Sequence, residues 1–228
     1  MGGASAATGR GWMAENLPPA FAQKLKPIEL PKPQLDGGRS LMQALKDRRS
    51  KRAYRDERLP LQVLSNLLWA ACGINRPDSG RRTAPSGGNL QDVDVYVATA
   101  DGVYVYDAKS HTLNPVLAED IRGLSGRQQR PPPLEEAPAN LIYVTDLAKK
   151  FRTAVAEQSL YLRFAHTGFI SQNVFLYCAS EGLATVVRFW FDKPALEKKI
   201  GLRPDQYITL VQSVGYPRKK SYEDIHPS

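Results

Sequence analysis

The longest helical pattern in the chain runs from Phe151 to Ser180, and no arrangement of the rest can ignore it. Tyr161, Ala165, Gly168, Gln172, Phe175 and Ala179 fall on one stripe of a 3.6-residue helix, while Leu162, Phe169, Val174 and Leu176 fill much of another side. A helix that is apolar nearly all round belongs in an interior, because no single polar face is left for water. The pattern therefore predicts a buried central helix, stopped by Gly182, with the other elements built around it.

Those other elements are short and mixed. Ser40-Leu41 to Asp47 reads as a helix with Leu41, Met42, Ala44 and Leu45 on its apolar side. Pro60 opens a second helix at the turn where its missing N–H is not needed; Leu61, Leu64, Leu67, Leu68 and Ala71 follow at helical spacing, and Gly73 ends it. Val93, Val95 and Val97 alternate with polar neighbours, as a strand does. Gly102 leads into Val103 to Tyr106, a hairpin partner either for that strand or for Leu113 to Leu117. Asn140 to Thr145, Thr185 to Phe189 and Tyr207 to Val214 are further strands, Pro194 to Ile200 is a short helix, and Arg127 to Pro138 is a Pro-rich loop. Helices and strands intermix without a βαβ repeat, so the expected class is α+β, a mixed central sheet flanked by helices.

Before residue 41 the composition changes. Pro18, Pro19, Pro27, Pro31 and Pro33 favour an extended arm without its own core. Met1 to Arg10 is rich in Gly and Ala, like a fusion scar or a misplaced start. Ala20-Phe21-Ala22 has the small-x-small form of a signal-cleavage site, although no charged region and continuous apolar run precede it. The expected division is residues 1–40 as leader remnant or scar plus arm, 41–217 as the folded domain, and 218–228 as a basic tail. The compartment stays open: periplasmic or exported if Ala20 to Ala22 is a cleavage remnant, otherwise cytoplasmic.

Chemistry concentrates in Arg48-Arg49-Ser50-Lys51-Arg52. Six basic residues lie between Arg48 and Arg58, against only Asp56 and Glu57. Guanidinium forks match phosphate oxygens and a serine adds a short-reach donor, so the segment reads as a clamp for one phosphate; a basic loop facing water is the other reading. The whole chain of 228 residues carries 31 Lys and Arg against 23 Asp and Glu, a balance that suits an anionic ligand. The aromatic-plus-basic modules of nucleic-acid binders are not present, and no window approaches the ~18 apolar residues of a membrane span. Cys72 and Cys178 each sit among apolar neighbours and His111, His166 and His226 are scattered, so buried thiols and no metal site are expected.

Four separated segments, in order over about residues 41–217, carry a resemblance. They are Arg48-Arg49-Ser50-x-Arg52-x-Tyr54; Pro85-Ser86-Gly87-Gly88-Asn89-x-Gln91; Gly168-(x)3-Gln172-Asn173 running into Glu181-Gly182-Leu183; and Leu210 to Val214 followed by Gly215-Tyr216-Pro217. Together they resemble the FMN-dependent nitroreductase superfamily, nearest to the branch of the SagB-type azoline dehydrogenases. The resemblance implies a nitroreductase-like fold whose long helix lies at the interface of a homodimer, with FMN between subunits. It implies the phosphate on Arg48, Ser50 and Arg52, with Arg49 adding backbone or stacking contacts. Pro85, Ser86, Gly87, Gly88 and Asn89 of the other subunit would touch the flavin ring; Gly-Gly-Asn equally suits a turn before a strand. Val187, Arg188 and Phe189 would pass near the flavin N5, although the Glu-Gly common at this point in relatives is Phe189-Trp190 here. Arg218, with Lys219 and Lys220, would add a phosphate cation or form a solvated tail. The implied activity is transfer of hydride or electrons from NADH or NADPH to a nitroaromatic, quinone-like or other small acceptor by a ping-pong cycle, with no catalytic side chain beyond the flavin. A flavin subunit that acts on a peptide with partner proteins is the alternative.

Overall fold

The computed structural model describes residues 25–125, 137–150 and 156–218, apart from the side chains of 156–158. The loop expected from Arg127, the start of the long helical pattern, the Ala20 to Ala22 segment, Lys219 and Lys220 thus lie wholly or largely outside the described residues.

A seven-stranded sheet organises the chain. Its strands are β1 (Ile28–Glu29), β4 (Val93–Thr99), β5 (Gly102–Asp107), β6 (Thr112–Leu117), β7 (Ala139–Asp146), β8 (Ala184–Arg188) and β9 (Gln206–Gly215), in the order β1-β6-β5-β4-β7-β9-β8. The small ribbon β2 (Ile74–Arg76) and β3 (Arg81–Arg82) stands apart. The α+β class holds, but within it every described strand pair is antiparallel, where a mixed sheet was expected. For three strands the cause is local: β4, β5 and β6 are joined by turns too short for any crossover, so each must reverse its neighbour. The hairpin alternatives for β5 are both realised, since it pairs β4 on one edge and β6 on the other.

Strand alternation splits the core in two. Val93, Val95, Val97, Leu141, Tyr143 and Val214 point to one face, where α2 (Leu61–Cys72) and α3 (Ala156–Ser180) cover them. Tyr96, Ala98, Ile142, Val144, Ile208 and Val211 point to the other, closed by Leu196 and Ile200 from α4 (Lys193–Lys199) and its C-cap. Ser40 caps α1 (Leu41–Asp47) by accepting from the Gln43 N–H. Pro60 sits one residue earlier than expected, at the N-cap of α2 rather than in its first turn.

Three expectations change in three dimensions. The arm is not without a core: Leu30 is buried, β1 pairs β6, and the Ser65 hydroxyl donates to Pro31 O, so residues 25–40 lie on their own protomer. On α1 only Ala44 is buried, while Leu41, Met42 and Leu45 stay exposed. The long helix is not buried all round. Its inner side carries Arg163, His166, Thr167, Ile170, Ser171, Val174 and Cys178, largely polar in its first half, whereas Tyr161, Leu162, Ala165, Gly168, Phe169 and Gln172 face outward. The stripe read from Tyr161 to Gln172 is thus the side this chain leaves uncovered.

Candidate active site

The basic segment leaves α1 in an extended path and is tied down from two sides. The Lys51 N–H donates to Thr185 O on β8, the Arg55 N–H to Tyr216 O, and the Arg218 N–H to Ala53 O. Tyr54 is buried, and its hydroxyl, pushed up to about 12 by burial, donates to Lys51 O. A Cβ at Gly215 would lie 3.1 Å from the Tyr54 ring and 2.5 Å from Pro138, so the close approach of these segments needs glycine there. The first and last of the four sequence segments therefore form one unit.

This unit borders a cleft of about 350 Å³ between Arg49, Lys51 and Arg39 on one wall and Phe175, Ala179 and Thr185 on the other. Arg48 lies over the Phe175 ring, 5.6 Å from its centroid. Among the described residues no carboxylate pairs with Arg48, Arg49, Lys51 or Arg52. The nearest acid in sequence, Asp47, is already engaged: hydrogen bonds from Gln43 and Arg39 hold its carboxyl below the usual range. A cationic segment without internal neutralisation, backed by a serine, has the donor set a phosphate monoester requires.

Of the expected site residues, Arg49 lines this cleft, Arg48 stacks on Phe175 at its wall, and others lie elsewhere. Thr185 faces the cleft, and Val187 shares its face by strand alternation. Arg188 turns to the opposite face, where Tyr54 and Arg52 are its neighbours; burial draws its guanidinium below the ordinary arginine value. Only the main chain of Arg188 can serve the cleft. Phe189 lies past the end of β8, and it and Trp190 are exposed. Arg218 is placed beside the clamp by its bond to Ala53. Arg39 was not singled out from the sequence, and Phe175 was read only as part of the helical stripe; neither belongs to the basic motif, and Phe175 arrives from the distant α3.

The Pro85–Asn89 loop lies elsewhere in the protomer. Residues Gly87–Asn89 form one 3-10 turn, with Gly88 (φ 59°), Asn89 (φ 55°) and Gln91 (φ 48°) in the left-handed region. A Cβ at Gly88 would meet nothing within 4 Å, so the crest of the loop is open for a flat group to approach. Five hydrogen bonds hold the strained path. The Ser86 hydroxyl accepts from the Gln91 N–H at 3.0 Å, and Gln91 Nε2 donates to Gly80 O and Asn89 Oδ1. Lys149 Nζ donates to Gln91 O at 2.7 Å, and the Gly87 N–H donates to His166 Nε2 at 2.8 Å.

Behind the loop lies a buried polar network. Asp92 Oδ1 is 2.6 Å from His166 Nδ1, and Asp92 Oδ2 accepts from Thr145 Oγ1 (3.1 Å) and Arg163 Nη1 (3.2 Å). A main-chain N–H can only donate, so His166 Nε2 must be the bare nitrogen and the proton sits on Nδ1, directed at Asp92. Burial by itself would raise the Asp92 carboxyl; the hydrogen bond from His166, with help from its own backbone and Thr145, outweighs it and holds the group low. This network was missed in the sequence. Its faint signal was Arg163 and His166, one turn apart on an otherwise apolar helix.

The two halves of the site flank α3 on opposite sides. His166, which holds the loop, and Phe175, which underlies the clamp, are nine residues apart; at ~100° and ~1.5 Å per residue that is about half a turn round and about 14 Å along the axis. One ligand cannot span both within one protomer without passing through the helix.

Comparison with known proteins gives a consistent picture. A model of the nitroreductase family matches residues 45–216. The chain is 31% identical over 182 residues to MJ1384 of Methanocaldococcus jannaschii, a protein provisionally named a nitroreductase, covering 74% of this chain and 86% of that one. A crystal structure of a provisionally named nitroreductase from Ralstonia eutropha superposes with a TM-score of 0.80 at 36% identity, over 86% of this chain and 91% of its own. A nitroreductase-type protein from Desulfovibrio desulfuricans, solved in complex with FMN, shares the fold at a TM-score of 0.56 and 18% identity, over 83% and 96% of the two chains.

Proposed function

Because this chain belongs to the nitroreductase family, we propose that it is an FMN-dependent oxidoreductase, taking hydride from NADH or NADPH and delivering electrons to a nitroaromatic, quinone-like or other small acceptor. The observation that carries the cofactor reading is the basic run Arg48, Arg49, Lys51 and Arg52, which no described carboxylate neutralises and of which Arg49 and Lys51 line a cleft of about 350 Å³. The FMN complex of the Desulfovibrio relative is in keeping with it.

Arg48, Ser50 and Arg52 would hold the phosphate, with Arg49 and Lys51 lining the cleft and Arg218 adding charge from beside Ala53. Bound FMN would supply the redox chemistry, accepting hydride at N5 and passing electrons on. The protein's own work is then to bind, orient and shield. The crest at Gly88 lets main chain lie against a flat ring, and the Asn89 amide offers both donor and acceptor to a pyrimidine edge. Val187 and the main chain of Arg188 would border the ring, and Phe189 and Trp190, which are exposed, would flank the entry for nicotinamide and acceptor in turn. No described group acts as a nucleophile or general acid in this scheme.

Since clamp and loop lie on opposite flanks of α3, the loop that meets a given flavin belongs to a second copy, packed through the exposed Tyr161–Gln172 stripe. The test is a mixed dimer of one Arg48→Ala chain and one Asn89→Gly chain. Glycine is chosen because Asn89 has φ 55°, where alanine would add strain of its own. Both lesions then fall in one site, and half the FMN should bind with normal affinity. Losing a charge-assisted phosphate bond at the damaged site should cost roughly ten- to hundredfold. Two equally damaged sites would place each flavin within one chain, and protein with no absorbance near ~450 nm after FMN addition would overturn the cofactor itself. NADH oxidation with a nitroaromatic by the purified protein alone supports the proposed acceptors; turnover only with companion proteins favours a peptide-azoline dehydrogenase.

A further inference from the structure

We propose that His166, held by Asp92 as the Nδ1–H tautomer, is a positioning residue that sets the Gly87–Asn89 loop for the cofactor. This rests on the reading of that loop as the flavin contact. His166 is buried on α3 and does not line the clamp cleft, so it acts through the loop's main chain.

Three observations converge. The loop follows a costly path, with Asn89 and Gln91 both at positive φ, and such a path persists only where its surroundings over-determine it. His166 Nε2 is the one described side-chain atom that accepts from the crest's main chain, through the Gly87 N–H at 2.8 Å. That nitrogen is bare only because the proton is committed to the other side of the ring, where Asp92 stands at 2.6 Å. Asp92 is itself fixed by Arg163, Thr145 and the Asp146 N–H, which donates to Asp92 O. A rigid carboxylate thus dictates a tautomer, and the tautomer dictates where a glycine N–H must point. Were the proton on Nε2, two donors would face each other across 2.8 Å and the loop would lift.

The charged groups that face this ring are Asp92 at Nδ1 and Arg163 one turn away, with Lys149 bracing the loop through Gln91 O. None of them offers Gly87 an alternative acceptor. Gln91 and Ser86 brace the loop's flank, so the loop should remain formed without His166 but lose its register at the crest.

The test uses the full chain with FMN titrated in, and the same protein without it. His166→Leu removes the acceptor; His166→Gln keeps an amide oxygen near the position of Nε2. In the ligand-free protein, hydrogen exchange at the Gly87 amide should speed up about three- to tenfold in His166→Leu, the loss of one hydrogen bond, and return towards wild type in His166→Gln. FMN affinity should follow the same order, weaker in the leucine variant and recovered in the glutamine variant. Nitrogen-15 shifts of the wild-type His166 ring should show a protonated Nδ1 and a bare Nε2. Unchanged Gly87 exchange in His166→Leu, or an Nε2–H tautomer in wild type, overturns the proposal. Exchange that responds as stated while FMN affinity does not change keeps the His166–loop link but removes its role at the cofactor, which also overturns it. If wild type binds no FMN, the cofactor reading fails, whereas the exchange and nitrogen data still decide whether His166 sets the loop.

Discussion

Arg163→Met should be among the most damaging single changes in the described structure. The guanidinium is 2% exposed and donates to Asp92 Oδ2 at 3.2 Å, Thr145 Oγ1 at 3.2 Å, Asp146 O at 2.6 Å, Lys149 O at 2.5 Å and Ser159 Oγ at 3.3 Å. Methionine fills similar space with an apolar chain. It leaves a fully buried Asp92 carboxylate with only His166 and Thr145, and strands two carbonyls at the end of β7. Removing one member of a buried pair typically costs about 3–5 kcal/mol, a large share of the roughly 5–15 kcal/mol that holds a domain together. At ~2–4 °C per kcal/mol for a chain of this size, the melting temperature should fall by about 6–20 °C. Urea unfolding should show a lower midpoint with unchanged slope, and calorimetry the matching shift. Adding Asp92→Asn should recover part of the loss. The buried charge is then gone, while the amide oxygen still accepts from His166 Nδ1. A cost under about 1 kcal/mol, the range of an exposed pair, would refute the reasoning, as would a double variant less stable than the sum of the singles.

Other consequences can be checked directly. The Asp92 carboxyl is held low in the fold, so it binds its proton less readily there than in the unfolded chain. Its contribution should be full above the unfolded value of ~3.9 and lost as pH falls through the lower folded value. Acid unfolding of wild type against Asp92→Asn measures this, and an advantage that grows on acidification would contradict it. Burial pushes Cys72 up to about 11 and Cys178 higher still, so both thiols should resist iodoacetamide at pH 8 in native protein and react promptly in denaturant. Gly88→Ala meets no steric contact but must hold φ near 59°, so it should lose about 1–2 kcal/mol in urea melts. A larger loss of FMN affinity than that strain accounts for would mark a close approach of the ring.

What could be read along the chain was whatever depends on neighbours in sequence. Ser40 before Leu41 announces a cap, Gly182 after Ser180 a stop, alternating valines in β4 a strand, and Arg48 to Arg52 a cationic segment, because capping, periodicity and charge density act over a few residues. The four separated segments also pointed to the family that the comparisons show. The contact between His166 and Asp92 could not be read: it joins residues 74 apart, and no local preference of either encodes the meeting. The antiparallel pairing of β7 with β4 and β9, the arm pairing with β6 and the turn of Arg188 away from the cleft are of the same kind. The stripe on α3 marks the boundary most clearly. Periodicity alone identified Tyr161, Ala165 and Gly168 as one face of a helix that wants cover. Only the packed chain shows that its own elements cover the opposite faces and leave this one open, since hydrophobic burial is indifferent to which chain supplies the covering surface.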